Sequence, residues 1–123
     1  MHSEILAVPA DLLFAARIRA AAEPAGANVF VARNAKIALE HLEQVTPALI
    51  IVDLDARGWD PVALIHELKG RDSLKDVPVL SYVSHVREDL IEAARSAGAK
   101  VMARGAFARN MAEILGRVKH SGG

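Results

Sequence analysis

Short apolar stretches alternate along the chain with segments in which apolar residues recur every three to four positions. The apolar stretches predict five strands, at residues 4–8, 28–32, 48–53, 79–83 and 100–103. Residues 48–52 are apolar without alternation, which is typical of a parallel strand that is covered on both faces. The pattern therefore predicts a buried central strand that ends at Asp53.

The segments between these strands predict amphipathic helices. One face of the last segment carries four apolar residues at helical spacing, Phe107, Met111, Ile114 and Val118. Four residues suit helix ends: Asp11 and Asn34 as N-caps, Pro61 in a first turn and Gly98 at a stop. Strand–helix alternation repeated five times predicts an α/β fold, doubly wound, in which helices cover both faces of a parallel sheet.

The composition indicates a single folded domain. The 123 residues are 52% hydrophobic and 24% charged, which excludes a disordered chain and a coiled coil. We expect one domain over residues 1–119. Residues 120–123, His-Ser-Gly-Gly, are expected to form a disordered tail.

Charge and cysteine content exclude several classes of function. Fifteen Lys and Arg balance fifteen Asp and Glu, so the chain has no electrostatic reason to bind nucleic acid or an anionic membrane. The absence of cysteine excludes disulfides and thiolate chemistry. The N-terminus lacks a signal-peptide pattern, and the apolar run at residues 48–52 is too short to span a bilayer. We therefore expect a cytoplasmic protein that binds neither nucleic acid nor membrane.

Four stretches of the chain resemble the CheY-like receiver domains of two-component response regulators. They are Glu-Ile-Leu-Ala-Val at 4–8, Ile-Ile-Val-Asp-Leu at 50–54, Val-Pro-Val-Leu at 77–80 and Ala-Gly-Ala at 97–99. The resemblance covers the whole chain in length and order. It implies a flavodoxin-like sheet with strand order 2-1-3-4-5 and five helices, and it assigns Asp53 to the phosphoacceptor position of the family.

The chain departs from the family pattern at the residues that surround this aspartate. The family has two acidic Mg²⁺ ligands after strand one, a Ser or Thr at the end of strand four and a Lys after strand five. The aligned residues here are Pro9, Ala10, Val83 and Gly105. Because phosphoryl transfer needs its negative charge neutralised and Mg²⁺ needs hard oxygen ligands, we expect no Mg²⁺ cofactor and no catalytic residue. The pattern indicates a degenerate receiver, or pseudo-receiver.

Asp53 itself has two interpretations. It is a phosphoacceptor, or it is a strand-end carboxylate that accepts a backbone N–H or pairs with Arg104, and the missing neighbours favour the second. Arg104 is otherwise interpreted as an exposed arginine. Asp55, Ser84 and Arg104 are candidate supporting residues at the same edge. Asp55 and Asp60 would rebuild a metal site with Asp53 or, as we expect, close turns by bonding their own backbone.

Two further residues are candidates for interaction with a partner. Trp59, the only tryptophan, lies in the loop after Asp53, where it either anchors a partner or packs over the third helix. Met102 occupies the position at which the family carries a switching Tyr or Phe, and a simple core methionine is the alternative. The five histidines lack metal-ligand spacing and are interpreted as surface residues.

The leading interpretation is a stand-alone receiver-like signalling module that acts by protein–protein interaction, without Mg²⁺-dependent phosphorylation and without enzyme activity. Its expected partners are proteins of a two-component or phosphorelay pathway, such as a histidine kinase or another regulator, and weak homodimerisation is a further option. The first alternative is a receiver that is phosphorylated at Asp53 through an altered site. The second is a small doubly wound ligand-binding domain or enzyme, although the chain has no Gly-x-Gly-x-x-Gly, phosphate loop or Ser/His/Asp set.

Overall fold

The computed structural model describes residues 3–9 and 11–118, in which five strands alternate with five helices. The strands are β1 (Ser3–Val8), β2 (Ala27–Val31), β3 (Leu49–Asp53), β4 (Val79–Val83) and β5 (Lys100–Ala103). The helices are α1 (Leu12–Ala22), α2 (Ala35–Leu42), α3 (Pro61–Lys69), α4 (Glu88–Ala97) and α5 (Arg104–Gly116), with a short 3₁₀ helix at Glu23–Ala25 after α1. Ala10, the boundary at residue 119 and the expected tail at residues 120–123 lie outside the described residues. Within the described ranges, no helix has both the length and the apolar character needed to cross a bilayer.

All five strands are parallel and lie in the order β2-β1-β3-β4-β5. This confirms the predicted doubly wound fold class and the strand order that the family resemblance implied. The bounds of β4 and β5 are those predicted from the sequence, and the other strands differ by one residue at an end or at both. Every residue of the central strand β3 is buried, which explains its unbroken apolar sequence.

Two apolar cores lie on opposite faces of the sheet. Side chains alternate between the faces along a strand, so Val52 packs with α2, α3 and α4, whereas Ile51 packs with α1 and α5. The second core holds three aromatic rings, those of Phe14, Tyr82 and Phe107. Asp53 follows Ile51 by two positions, so this alternation directs its side chain to the face that α1 and α5 cover.

Local side-chain hydrogen bonds fix where the helices begin. Asp11, Asn34 and Asp60 are the N-caps of α1, α2 and α3, and their side-chain oxygens accept backbone N–H groups at 2.8, 2.9 and 3.1 Å. Pro61 is the first residue of α3, and Gly98 ends α4 in the left-handed region with a φ of 112°. These caps confirm the helix ends predicted from the sequence, and Asp60 bonds its own backbone as expected.

One histidine is not the surface residue that the sequence analysis expected. The ring of His41 stacks on Phe30 with centroids 3.7 Å apart, and its Nε2 pairs with the carboxylate of Glu4. The histidine side chain is only 17% exposed. His66 and His85 are exposed, as expected, and the remaining two histidines lie outside the described residues.

Candidate functional site

Asp53 lies at the carboxyl edge of the sheet, where ligands bind in folds of this architecture. It is the last residue of β3, and only 2% of its surface is exposed. Its Oδ1 accepts a hydrogen bond from the backbone N–H of Asp55 at 2.8 Å. A buried carboxylate needs such donors to remain charged. Asp53 therefore holds the first turn of the β3–α3 loop.

Asp55 connects this loop to the next one along the sheet. Its Oδ2 accepts a hydrogen bond from the backbone N–H of Ser84 at 2.7 Å, across 29 positions of sequence. The expectation that Asp55 closes a turn by bonding its own backbone is therefore wrong, because the carboxylate that bonds the turn belongs to Asp53. The structure brings together Asp55 and Ser84, two of the candidate supporting residues. It does so through the backbone of Ser84, at the position directly after β4.

Arg104, the third candidate supporting residue, begins α5 and reaches across to the start of α1. Its guanidinium donates a hydrogen bond to the Asp11 carboxylate at 3.0 Å and lies 4.4 Å from the ring centroid of Phe14. The Arg104 side chain is 35% exposed, so the interpretation as a freely exposed arginine is wrong. The hydrogen bond from Arg104, followed by that from the Leu13 N–H, lowers the pKa of Asp11 below its usual value.

Tyr82 lies next to Asp53 on the adjacent strand, and the sequence analysis did not select it. The two residues are register partners in the pairing of β3 with β4. The Tyr82 ring is fully buried, with the ring centroids of Phe14 at 4.7 Å and of Phe107 at 5.5 Å. Its buried hydroxyl lies near the Asp53 carboxylate, but the two groups do not meet the geometry of a good hydrogen bond. Burial, and then the nearby charge of Asp53, raise the pKa of Tyr82 above its usual value.

The sequence nevertheless contained a feature from which Tyr82 could have been selected as a site residue. It is the only tyrosine of the chain, and it stands within a predicted strand next in order to the one that ends at Asp53. A phenol on a strand that is buried on both faces must place its hydroxyl among apolar groups or against a polar partner. The strand register then brings that hydroxyl toward the strand-end carboxylate.

The residues that replace the family's site residues lie around the same edge. Pro9 directly follows β1 and is buried. Val83 is 4% exposed and packs in the core that α2, α3 and α4 cover. Gly105 is exposed in the first turn of α5 and has no side chain to extend toward Asp53. These three positions contribute neither a carboxylate, a hydroxyl nor an ammonium group to the site.

A cleft of about 430 Å³ opens at this edge of the sheet. It is lined by Pro9, Leu12, Arg33, Asp55, Arg57 and Trp59. Trp59 is partly buried and packs against the core on the α3 side while it also lines the cleft. These contacts agree with the packing alternative, and its role as a partner anchor stays a prediction. Leu12 is 71% exposed at the mouth. The cleft thus combines apolar walls with two arginines and one aspartate.

Met102 lies on the edge strand β5, which β4 separates from the strand that carries Asp53. It is partly buried, pairs in register with Tyr82 and packs against the core that α1 and α5 cover. It also lines a groove of about 330 Å³ with residues of α5. Its core contacts agree with the simpler interpretation of this methionine, and its role as an interaction residue stays a prediction.

The acidic and histidine side chains in the described ranges form no group of three or more that is arranged to hold a metal ion.

Several solved structures with this arrangement of strands and helices are response regulators. The chemotaxis response regulator CheY4 of Vibrio cholerae superimposes with a TM-score of 0.83 at 17% identity, over 97% of this chain and 100% of that one. The phosphorylated cyanobacterial phytochrome response regulator RcpA gives a TM-score of 0.81 at 21% identity, over 94% of this chain and 90% of that one. A response regulator from Thermotoga maritima gives 0.80 at 21% identity, over 96% and 98%.

No protein-family model matches the sequence, and the comparison with curated proteins gives no match. At identities near one in five, the structural likeness establishes the fold: the chain has the flavodoxin-like fold of response regulator receiver domains.

Proposed function

We propose that the chain is a receiver-like signalling module of a two-component or phosphorelay pathway, which acts by protein–protein interaction without Mg²⁺-dependent phosphorylation of Asp53. The receiver fold supports the signalling role. One observation supports the absence of Mg²⁺-dependent phosphorylation. Around Asp53, the positions of Pro9, Val83 and Gly105 offer no side chain that binds a metal or neutralises a phosphoryl group.

The donors that remain do not fit Mg²⁺. This ion requires near-octahedral oxygen ligands and is usually held by one or two carboxylates together with substrate oxygens. The carboxylates of Asp53 and Asp55 already accept backbone N–H groups, at 2.8 and 2.7 Å. The adjoining cleft is lined by Arg33 and Arg57, whose charges repel a cation. We therefore propose that the protein works without a divalent cofactor and derive no catalytic step through one.

Without a phosphoryl group, the module has one conformation to present, because no ligand then discriminates between two states. Recognition must depend on its surface. Two large apolar side chains, Leu13 at 77% exposure and Val86 at 84%, lie in segments at the carboxyl edge. Leu12, which lines the cleft, is also exposed. We propose that a protein of the same pathway, a histidine kinase or another regulator, docks at the carboxyl edge through these exposed apolar side chains.

A phosphorylation assay with a restored variant tests the proposal. The protein is incubated with acetyl phosphate and Mg²⁺ and its intact mass is measured, with Asp53→Asn as the control. We expect no added phosphoryl group on the wild-type chain. The combined variant Pro9→Asp, Ala10→Asp, Val83→Thr and Gly105→Lys restores the family residues, and we expect it to gain a phosphoryl group that disappears when Asp53→Asn is added.

Stoichiometric phosphorylation of the wild-type chain, lost in Asp53→Asn, would overturn the proposal in favour of a working receiver with an altered site. The proposed docking of a partner protein is tested separately. Affinity for a purified pathway kinase or regulator is measured with and without beryllofluoride, which mimics the phosphoryl group. We expect a change below tenfold, which corresponds to about 1.4 kcal/mol.

A further inference from the structure

The cleft at the carboxyl edge of the sheet carries an excess of positive charge. Arg33 comes from the loop between β2 and α2, and Arg57 comes from the loop between β3 and α3. Neither arginine forms an ion pair with any residue in the described part of the chain. Asp55 is the one acidic residue that lines the cleft, so its lining has one net positive charge.

One oxygen of the Asp55 carboxylate is bonded outside this pair of arginines. Its Oδ2 accepts the Ser84 N–H at 2.7 Å, which directs one carboxylate oxygen toward the β4–α4 loop and stabilises its charge there. The other lining residues, Pro9, Leu12 and Trp59, are apolar. Two exposed arginines, which form no ion pair with the residues that the structure describes, therefore share a concave site with apolar side chains.

We infer that this cleft binds a small organic phosphate, with the phosphate group held by Arg33 and Arg57 and an apolar or aromatic group packed against Leu12 and Trp59. The inference concerns ligand binding alone and does not depend on the proposed partner docking or on the phosphorylation state of Asp53.

The charge and shape of the site favour a phosphate over other anions. A guanidinium group presents a planar fork of N–H donors that matches phosphate oxygens in a bidentate way. A phosphate monoester carries about −1.5 to −2 charges at pH 7, so two arginines attract it more strongly than they attract a ligand with a single carboxylate. Asp55 opposes this attraction in part, because it also lines the cleft. The volume of about 430 Å³ falls in the range of roughly 300–1,000 Å³ that is typical of small-molecule sites.

The test is a titration of the full chain with phenyl phosphate, followed by calorimetry and by the fluorescence of Trp59, the only tryptophan. Inorganic phosphate, adenosine monophosphate and ribose 5-phosphate are titrated in parallel. We expect saturable binding of phenyl phosphate and adenosine monophosphate, each at least tenfold tighter than that of inorganic phosphate or ribose 5-phosphate, because only the first two place a ring against the apolar side chains.

Variants of the lining residues separate this site from general charge attraction. Arg33→Gln and Arg57→Gln should each weaken phenyl phosphate binding tenfold or more, whereas Asp55→Asn, which keeps an acceptor oxygen for Ser84, should strengthen it. Arg95→Gln is the matched control, since Arg95 is an exposed arginine on α4 outside the cleft. Arg33→Lys and Arg57→Lys keep the charge without the fork and should bind with intermediate affinity.

Three results would overturn the inference. The first is the absence of saturable heat and fluorescence change with phenyl phosphate at up to ~1 mM, the concentration that corresponds to −4.1 kcal/mol. The second is binding that Arg95→Gln weakens as much as Arg33→Gln or Arg57→Gln does. The third is a phosphotyrosine peptide that binds tenfold tighter than both ring phosphates, since it would assign the site to a protein ligand.

Discussion

Arg104 and Asp11, which stand 93 positions apart in the sequence, form an ion pair in which the guanidinium donates to the carboxylate at 3.0 Å. The pair connects the first turn of α5 to the N-cap of α1, the two helices that cover the Asp53 face of the sheet. The guanidinium also lies over the ring of Phe14. Arg104, which is adjacent to the position of the family's lysine, therefore connects α1 and α5.

We expect this ion pair to make the stability of the protein fall in acid. The hydrogen bond from Arg104, and then that from the Leu13 N–H, lower the pKa of Asp11 below its ordinary value of 3.8. A carboxyl whose pKa is lower in the folded state stabilises that state above the unfolded value, and the effect is lost as pH falls through the folded value. Urea melts above and below pH 3.8 measure it. Arg104→Gln should flatten this part of the profile, and an unchanged slope in that variant would contradict the prediction.

Gly98 should not tolerate a side chain. Its φ of 112° is a conformation that L-residues rarely adopt, and a Cβ there would lie 3.0 Å from Cγ of Lys69. We expect Gly98→Ala to lower the free energy of unfolding by about 1–2 kcal/mol. Gly116→Ala is the matched control, since a Cβ at the end of α5 meets nothing within 4 Å. Chemical denaturation should show the control unchanged or stabilised by up to about 1 kcal/mol. Equal effects of the two substitutions would contradict this account.

The sequence was informative wherever structure depends on neighbouring residues. The unbroken apolar run before Asp53 predicted a buried parallel strand, because a strand covered on both faces is apolar at consecutive positions. Asp11 and Asn34 predicted helix starts, because an N-cap bonds the backbone of residues two or three positions later. The strand order required more than these patterns. It followed from the family resemblance, which depended on the spacing of four short stretches along the whole chain.

The contacts of the site could not be predicted in the same way, because they join residues from different loops. Asp55 bonds the Ser84 N–H only because β3 and β4 are neighbours that end at the same level. Arg33 and Arg57 share a cleft because their loops meet at one edge of the sheet. No local pattern distinguishes these arginines from others on the surface.

Tyr82 should behave as a core residue whose hydroxyl contributes little to stability. Its ring packs against two phenylalanine rings, and its buried hydroxyl lies near the Asp53 carboxylate without good hydrogen-bond geometry. Tyr82→Phe should therefore change the free energy of unfolding by less than about 1 kcal/mol, whereas Tyr82→Ala should cost about 3–5 kcal/mol. Thermal and urea melts measure both. A loss above about 2 kcal/mol in Tyr82→Phe would show that the hydroxyl is bonded and stabilising.

The same tyrosine predicts the behaviour of the protein in alkali. Burial, followed by the charge of Asp53, raises the pKa of Tyr82 above its ordinary value of 10.0. A group whose pKa is raised on folding stabilises the folded state below its unfolded value, and that contribution is lost as pH rises toward the folded value. Tyr82 is the only tyrosine, so ultraviolet absorbance reports its ionisation without overlap. We expect tyrosinate to appear above pH 10 together with loss of the near-ultraviolet circular dichroism signal. Ionisation near pH 10 in the folded protein would contradict the buried environment.

Asp53 should be required for its acceptor oxygen rather than for its charge. The carboxylate accepts the Asp55 N–H at 2.8 Å in a position that is 2% exposed, so Asp53→Ala leaves a backbone donor in the β3–α3 loop without its partner. We expect that substitution to cost about 1–3 kcal/mol of unfolding free energy in urea melts. Asp53→Asn keeps an oxygen at the same place and removes a negative charge beside the Tyr82 phenol, so it should change stability by less than about 1 kcal/mol. If Asp53→Asn proved as destabilising as Asp53→Ala, the charge itself would be structural, held by a cationic or further donor partner. The melt of Asp53→Asn also serves the phosphorylation assay, because that variant is a valid control only when its melt matches that of the wild type.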